Sequence, residues 1–344
     1  MPGSCSKVEF RAGTKGFDPI RQPALKTLKD FEEFYNTSLA ADLEVLEQKR
    51  RQLVRKLLII GAALLCAVII VVIFLVGRSQ SDAPVLFLFP IVTAAAVGGL
   101  ICRVASKNYV AEFKSFVIGR IVRFVGEDLS YEPNSCVQQS TFVLSKIFST
   151  EPNRYKGDDL AHGKVGATRI MFSEVNAERV TGSGKGRHRY TIFRGLFFVG
   201  DFNKHFAGQT IVLPDTAELL FGRIGQTLQS LNVFRGQLVK LEDPEFEKNF
   251  VVYGSDQIEA RYILSTSLMQ RMVEFRKKAQ RDVYFSFVGS MVFVAISYKR
   301  NLLEPRIFRT VLDFEPIREY FEDLQLAVGI VDDLNLNTRI WSKE

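Results

Sequence analysis

The chain has 344 residues, 47% of them hydrophobic and 29 of them phenylalanine, enough for a sizeable core in one or two domains. Its formal charge of +7 calls for an anionic counterpart, nucleic acid or a membrane surface, and the placement of the cations decides between them. The four cysteines, Cys5, Cys66, Cys102 and Cys136, form no CxxC pair, which argues against a zinc site or a disulfide framework and for free thiols in a reducing compartment.

Residues 1–22 contain Gly, Lys and Pro and are expected to be flexible. From 23 to 56 the pattern turns helical. Leu25, Leu28, Phe31, Phe34, Tyr35, Leu39, Leu43, Leu46 and Leu53 recur at threes and fours or small multiples. This predicts an amphipathic helix that runs nearly into the next segment, with a stripe that covers the C-terminal domain or another copy.

LLIIGAALLCAVIIVVIFLV, residues 57–76, holds no charge. Its length suits a hydrocarbon core of about 30 Å at about 1.5 Å per residue. PVLFLFPIVTAAAVGGLIC, residues 84–102, is a second uncharged run. Its Pro90 is tolerable where a partner helix or water satisfies the freed carbonyl. The polar connection GRSQSD predicts a tight transmembrane hairpin. Ala94 with Gly98, and Ala95 with Gly99, lie four apart and allow close helix packing; lipid-facing filler is the bland alternative.

Lys49, Arg50, Arg51, Arg55 and Lys56 precede the first span, and Arg103 and Lys107 follow the second, against Arg78 alone in the turn. The positive-inside rule then puts both termini in the cytoplasm. These cations are expected to contact anionic headgroups, and nucleic acid is not needed to explain them. Residues 103–126 predict a basic amphipathic helix built on Tyr109, Phe113, Phe116, Val117, Ile121 and Phe124, lying in the headgroup plane or docked on the following domain.

Residues 127–344 read as one cytoplasmic α+β domain. Helices are expected at 137–148, 216–231, 256–264, 267–279 and 316–336, and strands at 164–180, 189–202, 209–215, 237–241 and 249–255. VYFSFVGSMVFVAISY, 283–298, predicts a hairpin turning at Gly289-Ser290. Hairpin-like grouping of strands favours a mostly antiparallel sheet.

Chemistry is sparse. GSGKGRHR, 182–189, lacks the spacing of a phosphate-cradling loop and joins two strands, so it reads as a hairpin tip. His162, His188 and His205 form no ligand motif, no GxSxG elbow occurs, and Cys136 reads as a buried or incidental thiol. Trp341 in the tail reads as an aromatic plug or a partner-binding element. No cofactor is implied. The densest polar stretch is DPEFEKNFVVYGSDQIEARYIL, 243–264; Asp243, Asp256 and Glu259, with Asp201 and Asn203, form a candidate polar site. The competing reading makes Asp243 a cap before Pro244, and Ser255 a cap with Asp256 in the first turn.

YKGDDLAHGKVGATRIMFSEV, FRGLFFVGDFNKHFAGQTIVLPD, VKLEDPEFEKNFVVYGSDQIEARYILS and LNLNTRIW together resemble a bacterial family of two-pass membrane proteins labelled domain of unknown function 3137. The resemblance spans roughly residues 100–341. It implies cytoplasm-facing inner-membrane proteins often encoded beside LemA-type membrane proteins, and no catalytic residue or ligand. The leading expectation is a non-enzymatic binding or scaffold protein that contacts a protein partner, itself or the inner leaflet. Behind it stand a membrane-tethered hydrolase or transferase using the carboxylates, and a subunit of an oligomeric channel or transporter.

Overall fold

The computed structural model describes residues 26–78, 85–182, 184–202, 204–215 and 236–337. The expectations for residues 1–22, the connection between the spans, Asn203, the helix at 216–231 and Trp341 lie outside the described residues. The chain divides into two compact units. One comprises residues 27–118 and 304–319; the other comprises 1–26, 119–303 and 320–344.

The first unit is helical. Thr27 opens α1 (Leu28–Phe34) with a capping box: its hydroxyl accepts from Asp30 N, and the Asp30 carboxylate accepts from Thr27 N. A π-turn at Tyr35–Leu39 leads directly into α2 (Ala40–Arg78). α3 (Val85–Phe113) contains Pro90 and continues through a second π-turn, Lys114–Ile118. The helical stretches Leu28–Leu75 and Leu88–Val125 are long and apolar enough to cross a membrane, and none of either most-apolar window is buried.

α2 and α3 touch along narrow stripes. Leu57, Ile60, Leu64, Val68 and Val72 are half-buried on α2, and Pro90, Ala94 and Gly98 on α3. A Cβ on Gly98 would lie 3.5 Å from Leu64 Cδ1, whereas one on Gly99 would meet nothing within 4 Å. The two small pairs therefore separate: Ala94 and Gly98 pack against α2, and Ala95 and Gly99 are exposed.

The amphipathic stripe of α1–α2 has its cover. Phe31, Leu39, Leu43 and Leu46 are buried, and Phe31 and Tyr35 hold the ring of Phe314 at 6.1 and 5.1 Å. The polar centre is Glu47, 3% exposed. It accepts from Arg50 and Arg51 at 2.8 Å and from Val311 N at 3.2 Å, while Arg50 also donates to Ile307 O. The Arg50 hydrogen bond, against the opposing effect of burial and with help from Arg51 and Val311 N, holds the Glu47 carboxyl down at about 2. Buried Lys114 pairs with Glu304 at 2.9 Å.

A carboxyl whose folded value is depressed contributes stability above its ordinary range and loses it as pH falls. Glu47→Ala is expected to cost about 3 kcal/mol at neutral pH, because it strands the part-buried Arg50. It should also flatten the acid limb of the stability curve between 4.5 and about 2. Melting temperature against pH for the full chain in neutral micelles measures both.

The second unit is a sheet buried on both faces. Its elements are α4 (Gly119–Val125), β1 (Leu129–Glu132), α5 (Gln139–Leu144), β2 (Arg154–Val165), β3 (Thr168–Thr181), β4 (His188–Asp201), β5 (Gln209–Pro214), β6 (Gln237–Val239), α6 (Pro244–Glu247), β7 (Phe250–Gly254), α7 (Gln257–Ile263), α8 (Thr266–Ala279), β8 (Val283–Val288) and β9 (Met291–Ser297). α9 (Phe314–Asp333) begins among residues of the first unit and ends in this one. Among the described residues the strands run in the order β1-β2-β3-β4-β9-β8-β5-β7-β6, and every pairing is antiparallel. The α+β class and antiparallel sheet expected from strand grouping are thus present.

Phenylalanine fills both faces. On one, Phe142 lies 5.1 Å from Phe197 and stacks on Phe148 at 5.2 Å, beside Phe193 and Phe293. On the other, Phe285 meets Phe250 at 5.7 Å and Phe275 of α8 at 6.2 Å. α8 and α9 are tied by Lys278–Asp333 at 2.6 Å. In the basic segment after the second apolar run, Phe113, Val117, Ile121 and Val122 are buried, and Phe124 lies 6.1 Å from Phe321.

Four local expectations change. The single strand at 164–180 is the end of one hairpin strand and most of the next, turning at Gly166 (φ 61), where Ala167 N and the Thr168 hydroxyl donate to Asn337 Oδ1. The helix at 137–148 is only α5, ended by Lys146 in the left-handed region (φ 55). Ser255 is not the cap of α7; Asp256 is. Cys136 is disulfide-bonded, against the expectation of free thiols. Cys66 and Cys102 are free.

The middle of the sheet depends on Gly195 of β4, which has φ 152 and pairs with Ser297 of β9. A Cβ there would stand 2.0 Å from Ile296 O. Gly195→Ala is expected to lower unfolding free energy by at least about 2 kcal/mol through strain and a broken ladder. Urea unfolding followed by circular dichroism checks this.

Candidate functional site

Of the predicted polar site, Asp243, Asp256 and Glu259 each accept from backbone amides. The Asp243 carboxylate caps α6, accepting from Glu245 N and Phe246 N at 3.0 Å. The Asp256 carboxylate caps α7, accepting from Ile258 N at 2.8 Å and Glu259 N at 3.0 Å. Glu259 accepts from Ala207 N at 2.9 Å and Gly208 N at 2.8 Å, so it fastens the loop after β4 to the first turn of α7. Ser255 Oγ accepts from Gln209 N alongside. Asp201 ends β4, paired with Met291. Asp243 and Asp256 thus cap their own helices, and Glu259 ties a distant loop to α7.

The cations expected at headgroups also divide. Arg50 and Arg51 are engaged by Glu47, and Lys49 pairs with Glu112 at 2.6 Å. Arg55, Lys56, Arg103 and Lys107 are exposed. A further carboxylate group, Asp158, Asp159 and Glu174, brings ligand atoms within 4.8 Å of one another. Asp159 accepts from the Tyr131 hydroxyl and Glu174 from Leu302 N, so these oxygens already have protein donors.

The most distinctive site is basic, and sequence reasoning missed it. An open cleft of about 850 Å³ lies where the C-terminus of α8 meets the ends of the β8–β9 hairpin and the start of β7. Its cations are Arg276, Lys277, Arg281, Lys299 and Arg300. They arrive from two runs, RKKAQR before the hairpin and YKR after it. Antiparallel closure, with Val283 opposite Ile296 and Ser297 N donating to Asp282 O at 3.0 Å, sets the two runs side by side.

Tyr298, 3% exposed, forms the floor. Arg281 lies over its ring at 4.2 Å and Arg300 at 5.9 Å. Arg300 pairs with Asp323 at 2.6 Å, and Asp323 also hydrogen-bonds Tyr298. Burial pushes both Asp323 and Tyr298 above their ordinary values, with Arg300 opposing the shift at Asp323. Arg276 donates to Asn249 O, lies over Phe250 at 5.3 Å and faces Asp282 at 3.9 Å. Lys277 pairs with Glu245 at 2.7 Å on the open surface. Arg281 and Lys299 are exposed, and among the described residues neither has a carboxylate within ion-pair distance. The signal available in the sequence was the pair of basic runs flanking a hairpin already expected at 283–298.

The fold is thus a mostly antiparallel α+β domain following two helices of membrane-crossing length. Residues 191–336 match the model of the family described as "Protein of unknown function (DUF3137)". No curated protein matches the chain. The crystal structure of the mycobacterial trehalose monomycolate transport factor A, TtfA, aligns at a TM-score of 0.29 and 11% identity, over 61% of this chain and 95% of that one. Likeness at that level carries no functional argument.

Asp243→Ala and Asp256→Ala are each expected to cost about 1 kcal/mol of stability, the ordinary effect of losing a cap. The cleft should be unaffected. Urea titration of the two variants measures the loss.

Proposed function

We propose that the protein is a membrane-anchored, non-enzymatic binding or scaffold protein. Its α+β domain meets a protein partner at a surface facing the cytoplasm of a bacterial cell. The carrying observation is the pair of helical stretches whose most apolar windows have no buried residue. Leu58, Ile59, Ile70, Ile73 and Phe89 are all more than half exposed, and a hydrocarbon solvent removes that cost. The exposed cations Arg55, Lys56, Arg103 and Lys107 flank this apolar band and favour the inner membrane with both termini inside.

Support for a protein partner comes from α7 and the edge strand β6. Ile258 is 81% exposed, Tyr262 one turn on is 48% exposed, and Leu238 is 45% exposed. Apolar side chains grouped this way favour contact with another protein surface. A LemA-type membrane protein, suggested by the family resemblance, is the first partner to probe, and self-association the second.

Two measurements test this. The chain should float with liposomes and survive an alkaline wash; release by the wash would refute the anchor. Mild-detergent pull-down should recover a LemA-type protein or a second copy, and Ile258→Asp should reduce recovery by about tenfold or more. Recovery of neither, or recovery indifferent to Ile258→Asp, would refute the partner surface.

A further inference from the structure

We propose that the cleft floored by Tyr298 is a binding site for a phosphate monoester, which rests on the reading of the domain as a binding module and gives it a ligand class. Five cations line the cleft, and among the described residues the carboxylates paired with them are Asp282, Glu245 and Asp323, leaving a surplus of two positive charges. The C-terminus of α8 offsets about half a charge. The remainder matches a phosphate monoester, which carries about −1.5 to −2 at neutral pH.

Geometry narrows the class further. Arg281 and Arg300 are held against the ring of Tyr298, which limits the freedom their guanidinium groups would lose on binding. Planar guanidinium forks suit the tetrahedral oxygens of phosphate. Among the described residues, Arg281 and Lys299 stand without a carboxylate within ion-pair distance on the two sides of the hairpin closure, so an anion between them needs no such pair to break. The volume of about 850 Å³ exceeds a bare phosphate and leaves room for the group it esterifies. That group is either a soluble metabolite or a lipid whose headgroup ends in a phosphate monoester.

The test uses the full chain in neutral maltoside micelles. Glycerol 3-phosphate is titrated calorimetrically, in parallel with phosphatidic acid in mixed micelles, and sodium chloride at matched ionic strength is the blank. Both phosphate probes carry a monoester. Arg281→Gln with Lys299→Gln should weaken binding by about tenfold or more. The control pair Lys240→Gln with Arg261→Gln removes the same charge elsewhere and should change it by less than about twofold. Both altered pairs are exposed, and an unchanged melting temperature shows that the fold is kept.

Tighter binding of phosphatidic acid assigns the site to a lipid headgroup; equal or tighter binding of glycerol 3-phosphate assigns it to a soluble ester. Either supports the proposal. No heat beyond the chloride blank from either probe would overturn it, as would equal weakening in the cleft and control variants. Liposome flotation and partner capture are separate readouts, so loss of anchoring with phosphate binding intact counts against the proposed anchor alone.

Discussion

The pairing of β4 with β9 joins two halves of the sheet that lie almost a hundred residues apart in sequence. On one side of that ladder are β1 to β3, each next to its neighbour in the chain; on the other are β8, β5, β7 and β6. Phe197 and Phe293 lean on one face of the join, and Phe198 and Val294 are buried with them. Gly195 lets the two backbones approach at the end of the ladder, where Tyr298 N donates to Arg194 O. The cleft begins at that point, so its geometry depends on the longest-range pairing in the sheet.

Acids and bases play opposite parts around this frame. Asp243 and Asp256 act within three residues of themselves and close helix starts, whereas Glu259 fastens the distant 207–208 loop and Glu245 pairs with Lys277. Such roles leave little charge for a visitor. The cations of the cleft are collected from two separate runs, and among the described residues Arg281 and Lys299 have no carboxylate within ion-pair distance. A field of that kind arises from topology rather than from local sequence.

The same contrast explains what was legible in the sequence. Membrane-length helices, the hairpin at Gly289-Ser290 and the Asp243 cap before Pro244 rest on composition and local turn chemistry, and the structure contains each of them. The turn at Gly166 escaped because Asn337, far along the chain, supplies its acceptor. The choice between Ser255 and Asp256 as cap was decided by Gln209, whose amide takes the Ser255 hydroxyl. β1 and most of β2 were overlooked because YKGDDLAHG carries two glycines and adjacent acids, and the strand bulges between Asp158 and Ala161. The basic cleft was hidden for a simpler reason: its two halves become neighbours only after the hairpin closes.

The helix from Leu28 to Leu75 passes from the capping box at Thr27 into the apolar band with only a π-turn on the way. At about 1.5 Å per residue it is a rod of about 70 Å. Toward its N-terminal end, Glu47, Arg50 and Tyr35 grip the 304–319 segment through Val311, Ile307 and Leu312. A rod clamped there and unburied along its apolar band works as a lever, because a force that tilts the band displaces the clamped segment as well.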